Sequence, residues 1–285
     1  MKKTNLLIFI LLILIIALGL AIYLQYTPVQ EQTITSEQPP LPPEPIKKAI
    51  VHYPVPQTET KTAAAAEPEE QEVVAPESTE KESPPLPEVL PVVQESDESI
   101  QQALKSLLSG NALYKLLFME NFIQRIVATI DNLPEKRLPR AHLPVKAPGG
   151  KFIVSGTPDA PQMSSRNNKR YSPYISLFES IDQELAIKIY IHFYPLFQSA
   201  YEQLGYKNSY FNDRLVFVID HLLNTPNPPD PILLAQPSVL YTYADPILEN
   251  LSAGQKILLR IGQDQRLKVF KVLDRYRQRL TSLHP

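Results

Sequence analysis

Apolar residues follow three different patterns along the chain, and each pattern predicts a different structure. The first is an uninterrupted apolar run over Leu6–Leu24. The second is a long stretch, 28–95, in which apolar residues are few and prolines are many. From residue 96 onward, apolar side chains recur every three or four positions, as on one face of a helix. We therefore predict a mainly α protein: a single-pass membrane helix within 1–27, a disordered linker over 28–95, and a compact helical domain over 96–285 with at most a short β-strand or hairpin.

The apolar run is long enough to cross a membrane. It holds 19 uncharged residues, and a helix of that length spans roughly 28 Å, close to the hydrocarbon thickness of a bilayer. Lys2 and Lys3 precede the run and the next basic residue is Lys47, so we expect a cytoplasmic N-terminus. The C-terminal domain is then expected on the opposite side of the membrane. A cleaved signal peptide is the alternative, but its apolar core is normally shorter, about 7–15 residues.

The stretch 28–95 has the composition of an unfolded spacer. It contains 14 of the 29 prolines and no glycine, and its 13 Glu and four Lys give a net charge of −9. Proline removes backbone donors and favours extended polyproline II structure. We predict a disordered linker that holds the domain away from the membrane. A docking segment with Pro-x-x-Pro character is the alternative that the composition leaves open.

The region after residue 95 reads as a series of amphipathic helices. We predict helices over 97–108, 113–130, 172–180, 183–204, 213–223, 252–261 and 263–280, with short strands at 152–154 and 239–243. The helix over 183–204 is apolar around most of its circumference and is expected to be the most buried. Asn212 or Asp213, and later Ser252, are expected to cap helices. The Pro-rich segment 132–170 is expected to wrap the helices or to form a functional flap.

Positive charge in the domain is concentrated in two places. Segment 132–170 carries a net charge of +6, and the final helix carries +4. The apolar stripe of the final helix consists of Val269, Leu273, Tyr276 and Leu280. A separate row of cations, called here the basic row, consists of Lys268, Lys271, Arg275 and Arg279. We expect such a helix to pack by its apolar side and to present the cations to an anionic polymer, a lipid surface or a protein. An ordinary solvated helix face is the alternative.

Several longer motifs, taken together, resemble one bacterial family. They are Tyr194-Pro-Leu-Phe-Gln-Ser-Ala-Tyr201, Tyr210-Phe-Asn-Asp-Arg-Leu215, Gln236-Pro-Ser-Val-Leu-Tyr241 with Ala244-Asp-Pro246, and Ser252-Ala-Gly-Gln-Lys256 with Leu258-Leu-Arg-Ile-Gly262. In this order they resemble the domain of unknown function 3014, over about Ile100 to Leu280. The resemblance implies a membrane segment, a low-complexity linker and then this domain, and it implies no activity. One motif differs, since Asn167-Asn168-Lys169-Arg170-Tyr171 lacks the aromatic residue that the family usually has at its second position.

No motif in the chain specifies a catalytic chemistry. The chain has no cysteine, and its five histidines show no metal-ligand spacing, so we expect neither a cofactor nor a metal. Asp213 with Asp245 or Glu249 forms the one pairing that fits an alternative function, a hydrolase acting on peptidoglycan through two carboxylates. Caps and turns explain the same residues, so a non-enzymatic protein is favoured.

Together with this resemblance, the sequence predicts a binding or scaffolding protein of the cell envelope. Its expected location is a bacterial inner membrane, with the C-terminal domain in the periplasm. It is held in the membrane by Leu6–Leu24, and its expected partner is an anionic cell-wall polymer or another envelope protein. Nucleic acid is not expected as a partner at that location. The candidate binding residues are Arg170, Tyr171, Asn212, Asp213, Arg214, Asp245, Lys256, Arg260, Lys268, Lys271, Arg275 and Arg279.

Overall fold

A computed structural model describes residues 51–56, 86–87, 89–107, 117–146, 149–180 and 183–283. The apolar run Leu6–Leu24 lies outside these ranges, as does most of the predicted linker. Among the described residues, none of the helices combines the length and the apolar character needed to cross a bilayer.

The described part of the chain is mainly helical, as predicted. Its α-helices are α1 (Asp97–Leu107), α2 (Phe122–Asn132), α3 (Arg166–Ser180), α4 (Gln183–Gln203), α5 (Phe211–Leu223), α6 (Pro246–Glu249), α7 (Ala253–Arg260) and α8 (Gln263–Thr281). Two 3₁₀ turns cover Val93–Glu95 and Arg140–His142. The predicted bounds of α4 and α8 agree with the structure to within one residue.

Two small antiparallel hairpins complete the described fold. In the first, β1 (Val154–Thr157) pairs with β2 (Ala160–Met163). In the second, β3 (Leu234–Ala235) pairs with β4 (Thr242–Tyr243). A backbone hydrogen bond from Met163 to Ile232, 2.9 Å long, joins the two hairpins. The predicted strands were therefore placed too early, because 152–153 precede β1 and only the end of 239–243 is paired.

The helices pack around one large apolar core. Helix α5 lies at its centre and contacts α2, α4, α7 and α8, while α4 also packs on α2 and α8. The apolar stripe of α8 is buried as predicted, with Val269 1 % and Leu280 2 % exposed. Segment 132–170 contributes Leu138, Leu143 and Val145 to this core, so its described part wraps the helices.

Helix α2 begins later than the apolar periodicity predicts. Leu117 forms a β-bridge with Val145, and Asn121 adopts a left-handed conformation with φ of 53°. The carboxylate of Asp97 then accepts hydrogen bonds from the backbone N–H groups of Asn121 and Phe122, at 2.7 and 2.9 Å. A side chain from another helix thus satisfies two donors at this helix start, and a local pattern cannot reveal such a contact.

Helix α3 begins earlier than predicted, at Arg166 instead of 172. Asn167 is fully buried. Its side-chain amide pairs with both backbone groups of Ile153, accepting at 2.9 Å and donating at 2.7 Å. This contact attaches the first turn of α3 to the chain entering β1, so the helix start is set by a partner that is distant in sequence.

The domain also begins earlier than the predicted boundary at residue 96. Leu90 and Val93 are 2 % and 3 % exposed and belong to the core. Tyr53, Val55 and Leu86 pack against the same core. The assignment of all of 28–95 to a disordered linker was therefore wrong for its described parts, because apolar residues placed between the prolines are buried on the domain.

Candidate functional site

The first turn of α5 holds a short segment, Val51–Pro56, that is called here the strap. Backbone N–H of Tyr53 donates to Asp213 Oδ1 at 2.8 Å. Asn212 Nδ2 donates to the carbonyl oxygen of Tyr53 at 2.9 Å. Two consecutive side chains of α5 therefore bind both polar backbone groups of one strap residue.

The side chains of the strap add further contacts. His52 Nδ1 lies 2.9 Å from Asp213 Oδ2, and the His52 ring stacks on Tyr210 with ring centroids 3.9 Å apart. Tyr53 and Val55 are half-buried against the core. We call Tyr210, Asn212 and Asp213 the strap site.

Asn212 is oriented by groups behind it in the core. Its side chain is 0 % exposed, and its Oδ1 accepts a hydrogen bond from Tyr190 Oη at 3.0 Å. Its Nδ2 also donates to the Leu280 carbonyl at 3.3 Å. Burial raises the pKa of Tyr190 well above its ordinary value, which keeps the phenol protonated as a donor. Asn212 thus joins α4, α5, α8 and the strap.

The two predicted cap residues of α5 do not cap it. The N-cap position is Tyr210, and no side chain there bonds the helix. Asn212 and Asp213 lie inside the first turn and are used by the strap instead. The cap prediction for this helix was wrong for this reason, whereas Ser252 caps α7 as predicted, in a full capping box with Gln255.

Arg214 connects α5 to the end of α2. Its guanidinium donates to the Asp131 carboxylate at 2.8 Å and to the Asp131 carbonyl at 2.6 Å. Tyr206 Oη lies 3.2 Å from the same carboxylate. The guanidinium also lies over the ring of Phe217, 5.1 Å from its centroid. Arg214 is thus next to the strap site in sequence but bonds to α2.

Arg170 and Tyr171 contact other parts of their own chain. The Arg170 guanidinium donates to the carbonyls of Gly149, Gly150 and Lys151 at 3.1, 2.7 and 3.0 Å. Tyr171 is 0 % exposed, and burial raises its pKa to about 12. Tyr171 is therefore closed to a ligand, and the partly exposed Arg170 guanidinium is engaged by carbonyls of its own chain.

The carboxylates considered for hydrolysis are all engaged. Asp245 caps α6 by accepting from the backbone N–H of Ile247 at 2.8 Å. Glu249 binds Lys256 Nζ at 2.6 Å and accepts from the backbone N–H of Tyr243 at 2.9 Å. Asp213 is used by the strap.

Two of the remaining candidate residues lie close to β4. Lys256 is 5 % exposed, and burial lowers its pKa from the ordinary value. The Arg260 guanidinium lies 6.0 Å from the ring centroid of Tyr243. Both therefore contact groups of their own chain at the second hairpin. In the ranges that the structure describes, no group of three or more His, Cys, Asp or Glu residues is arranged to hold a metal.

The basic row lies on the exposed face of α8, as predicted. All four of its side chains are exposed. Lys268 forms an ion pair with Glu179 at 2.9 Å, and Arg279 forms one with Glu184. No ion pair between described residues involves Lys271 or Arg275. The positive charge available to a partner on this face is centred on these two residues, one helical turn apart.

A Ser–His contact lies in a shallow groove that sequence reasoning did not identify. His221 Nε2 is 2.8 Å from Ser252 Oγ. The groove has a volume of about 520 Å³, and Pro134, Pro246 and Ile247 also line it. The sequence draws attention to Asp220 beside His221, but Asp220 pairs with Arg277 instead. The partner of His221 comes from another helix, so no local spacing indicates it.

This Ser–His contact has the geometry of a helix cap. Ser252 Oγ accepts from the backbone N–H of Gln255 at 3.2 Å. The N–H groups of Ala253 and Gly254, which lie between Ser252 and Gln255, donate to the carbonyls of Glu135 and Leu133 at 2.7 and 3.0 Å. These donors would have to be free to stabilise an oxyanion. The arrangement therefore fixes α7 against the end of α2.

The motifs that form these sites match one family model. The model, described as a protein of unknown function (DUF3014), covers residues 122–277. The chain belongs to this family. Comparison of the chain with curated proteins and with solved structures found no match. The DUF3014 match includes the strap site, the Ser–His groove and much of α8, whereas the strap itself lies before the matched residues.

Proposed function

We propose that this DUF3014 protein is a single-pass protein of the bacterial inner membrane whose periplasmic domain binds an anionic cell-wall polymer without catalysing a reaction. The membrane part of the proposal is supported by the length of the apolar run over Leu6–Leu24 and by the two lysines before it. The orientation that follows has a cytoplasmic N-terminus and the helical domain on the other side of the membrane.

The observation that carries the binding proposal is the exposed basic row of α8. Lys271 and Arg275 stand one turn apart on the side of the helix opposite to the buried apolar stripe. Cations at regular spacing along a rigid helix match a polymer with repeated negative charges better than they match a single small anion. The attraction of such a row acts over about 10 Å at moderate salt.

A role without catalysis is supported by the contacts of the carboxylates. Asp213, Asp245 and Glu249 each accept hydrogen bonds from backbone N–H groups of the chain. A pair of glycosidase carboxylates must instead face a groove with room for the sugar and for a water molecule. The bonds that these residues make are those of structural groups.

Binding can be tested with the full chain in detergent micelles and with isolated cell walls. We expect the wild-type protein to sediment with the walls and to be released as salt is raised. The double variant Lys271→Glu/Arg275→Glu should bind at least tenfold more weakly. Lys188→Glu/Lys207→Glu makes the same change of charge at two exposed lysines outside α8 and should bind like the wild type. Equal binding by both double variants would overturn the assignment to α8.

Crosslinking in cells distinguishes the kind of partner. A photo-crosslinking residue in place of Lys271 should capture cell-wall glycan. Capture of one defined protein instead would overturn the polymer assignment in favour of a protein partner.

The anchor is tested separately, because an intact chain should resist alkaline extraction from membranes and a chain lacking 6–24 should not. Release of the intact chain by alkali would overturn the anchor.

A further inference from the structure

We propose that Tyr210, Asn212 and Asp213 form a recognition site for an extended His-Tyr-Pro peptide, and that its ligand is the strap of the same chain, held reversibly. The strap, Val51–Pro56, is distant in sequence from the site that holds it. This inference concerns the domain and its own linker, and only its consequence for distance from the membrane rests on the proposed function.

The site binds the peptide through its main chain. Asp213 accepts from the N–H of Tyr53 and Asn212 donates to its carbonyl, at 2.8 and 2.9 Å. Pairing both the N–H and the carbonyl of one residue fixes the register of an extended segment. A strand that joins a sheet is fixed in the same way. The next residue, Pro54, has no N–H and so leaves no donor unpaired.

Side-chain contacts provide specificity at the paired residue, Tyr53, and at the residue before it. The His52 ring lies on Tyr210, and its Nδ1 is 2.9 Å from Asp213. Tyr53 packs against the core of the domain. A ligand of this site therefore presents a planar, hydrogen-bonding ring and then a tyrosine-like ring, and a proline can follow because it adds no donor.

The site is organised without help from the strap. Tyr190 Oη and the Leu280 carbonyl bond the side-chain amide of Asn212 from within the core, and these groups belong to α4 and α8. Asn212 therefore presents a donor in the same direction whether or not the strap is bound. A preorganised site of this kind loses little entropy when the peptide binds.

The strap itself is held weakly enough to leave. All of its residues are exposed or half-buried, and few hydrogen bonds connect it to the domain. Ordering six residues costs free energy through lost backbone entropy. This cost is comparable to the stabilisation that a few hydrogen bonds and two partly buried side chains provide. Segments of this kind open locally without unfolding the core.

Release of the strap would change how far the domain can stand from the membrane. With the strap bound, 26 residues (25–50) separate the proposed anchor from the first segment held by the domain, a length that can span about 80 Å at ~3.1 Å per residue. With the strap released, that number is 61 residues (25–85), which can span about 190 Å by the same measure. The strap site therefore sets the range over which the basic row can search for its partner.

The first test is hydrogen exchange, measured by mass spectrometry on the full chain in detergent micelles. In the wild type, the peptide containing Tyr53 should be protected. Asp213→Ala should speed its exchange at least tenfold and leave the amides of α4 and α8 protected. Asp274→Ala, which removes an exposed carboxylate on α8, serves as the matched control and should change nothing at the strap. Unchanged exchange in Asp213→Ala, or a loss of protection throughout the domain, would overturn the proposal.

The second test supplies the ligand from outside. A synthetic peptide with the sequence of residues 50–57 should bind the full-length double variant His52→Gly/Tyr53→Gly. It should not bind when Asp213→Ala is added to that variant. No binding to the first variant, or equal binding to both, would contradict a recognition site. Formation of stable dimers by the wild type through exchanged straps would overturn the assignment of the ligand to the same chain.

Neither measurement depends on a membrane, so failure of the proposed anchor leaves both results unaffected.

The effect on the domain's distance from the membrane is measured on vesicles, by energy transfer from a dye on the domain to an acceptor in the lipid. The absence of native cysteine allows one engineered cysteine to carry the donor. Transfer should fall in Asp213→Ala but not in Asp274→Ala. If the hydrogen exchange of the strap changes but the energy transfer does not, the strap site stands and its control of the domain's distance from the membrane is rejected.

Discussion

The carboxylate of Asp213 accepts a hydrogen bond from the backbone N–H of Tyr53, 160 positions earlier in the chain, at 2.8 Å. Asn212, the preceding residue, donates to the carbonyl of the same tyrosine. Together they convert the first turn of α5, which would ordinarily be open to solvent, into a site for an extended segment. The residues that look like helix caps in the sequence are therefore residues that hold the strap.

Asn212 is expected to matter to stability as well as to the strap. Asn212→Ala removes the acceptor of the buried Tyr190 hydroxyl and the donor to Leu280. The loss of these buried hydrogen bonds should lower the free energy of unfolding by about 1–3 kcal/mol. Asn224→Ala, at an exposed residue whose amide bonds only within its own helix end, is the control. Urea denaturation should separate the two variants, and equal midpoints would contradict this role.

The ion pair between Lys256 and Glu249 should respond asymmetrically to substitution. The Lys256 side chain is 6 % exposed and that of Glu249 is 38 % exposed. Glu249→Gln removes the negative charge paired with a buried ammonium and should destabilise the domain by about 1–3 kcal/mol. Lys256→Met removes the buried charge and keeps the apolar stem, so it should cost less. Thermal unfolding that ranks the two variants in the opposite order would show that the buried charge is not the dominant factor.

Acid should weaken the fold partly through His221. Burial, followed by the nearby charge of Arg214, lowers the pKa of His221 below its ordinary value of 6.5. The unfolded chain then binds the proton more readily, so this contribution to stability is present above about pH 6.5 and is lost as the pH falls below that value. His221→Gln should make the melting temperature less dependent on pH between 7.5 and 5.5. His142→Gln, at an exposed histidine, should show the same change of melting temperature with pH as the wild type. An equal pH dependence in the two variants would contradict the assignment to His221.

The close packing of α7 depends on a glycine. A Cβ atom at Gly254 would lie 2.7 Å from Leu222 Cδ2 and 3.1 Å from the Leu133 carbonyl oxygen. Gly254→Ala should therefore push α7 away from α5 and cost about 1–3 kcal/mol. Gly149→Ala meets nothing within 4 Å and is the matched control. Chemical denaturation should show the loss for the first variant only, and a Gly254→Ala protein as stable as the control would mean that α7 can shift freely.

Much of the fold follows from local sequence. The bounds of helices α4 and α8 were predicted to within one residue because both have a long apolar periodicity. In addition, Gly205 follows the end of α4 and Gly262 precedes the start of α8. The cap at Ser252 was predicted because a capping box is a contact between neighbours in sequence. The starts of α2 and α3 were not predictable in this way, since Asp97 and Asn167 define them through segments distant in the chain.

The helical class, the family, the apolar run before the domain and the basic row of α8 could all be read from the sequence, because each depends on residue type and spacing along one segment. The contacts of the polar residues could be found only in the folded structure. It assigned Asn212 and Asp213 to the strap, Tyr171 to the core and His221 to Ser252. The reason is that a polar side chain takes the partner that folding brings within about 3 Å, and that partner can come from any part of the chain.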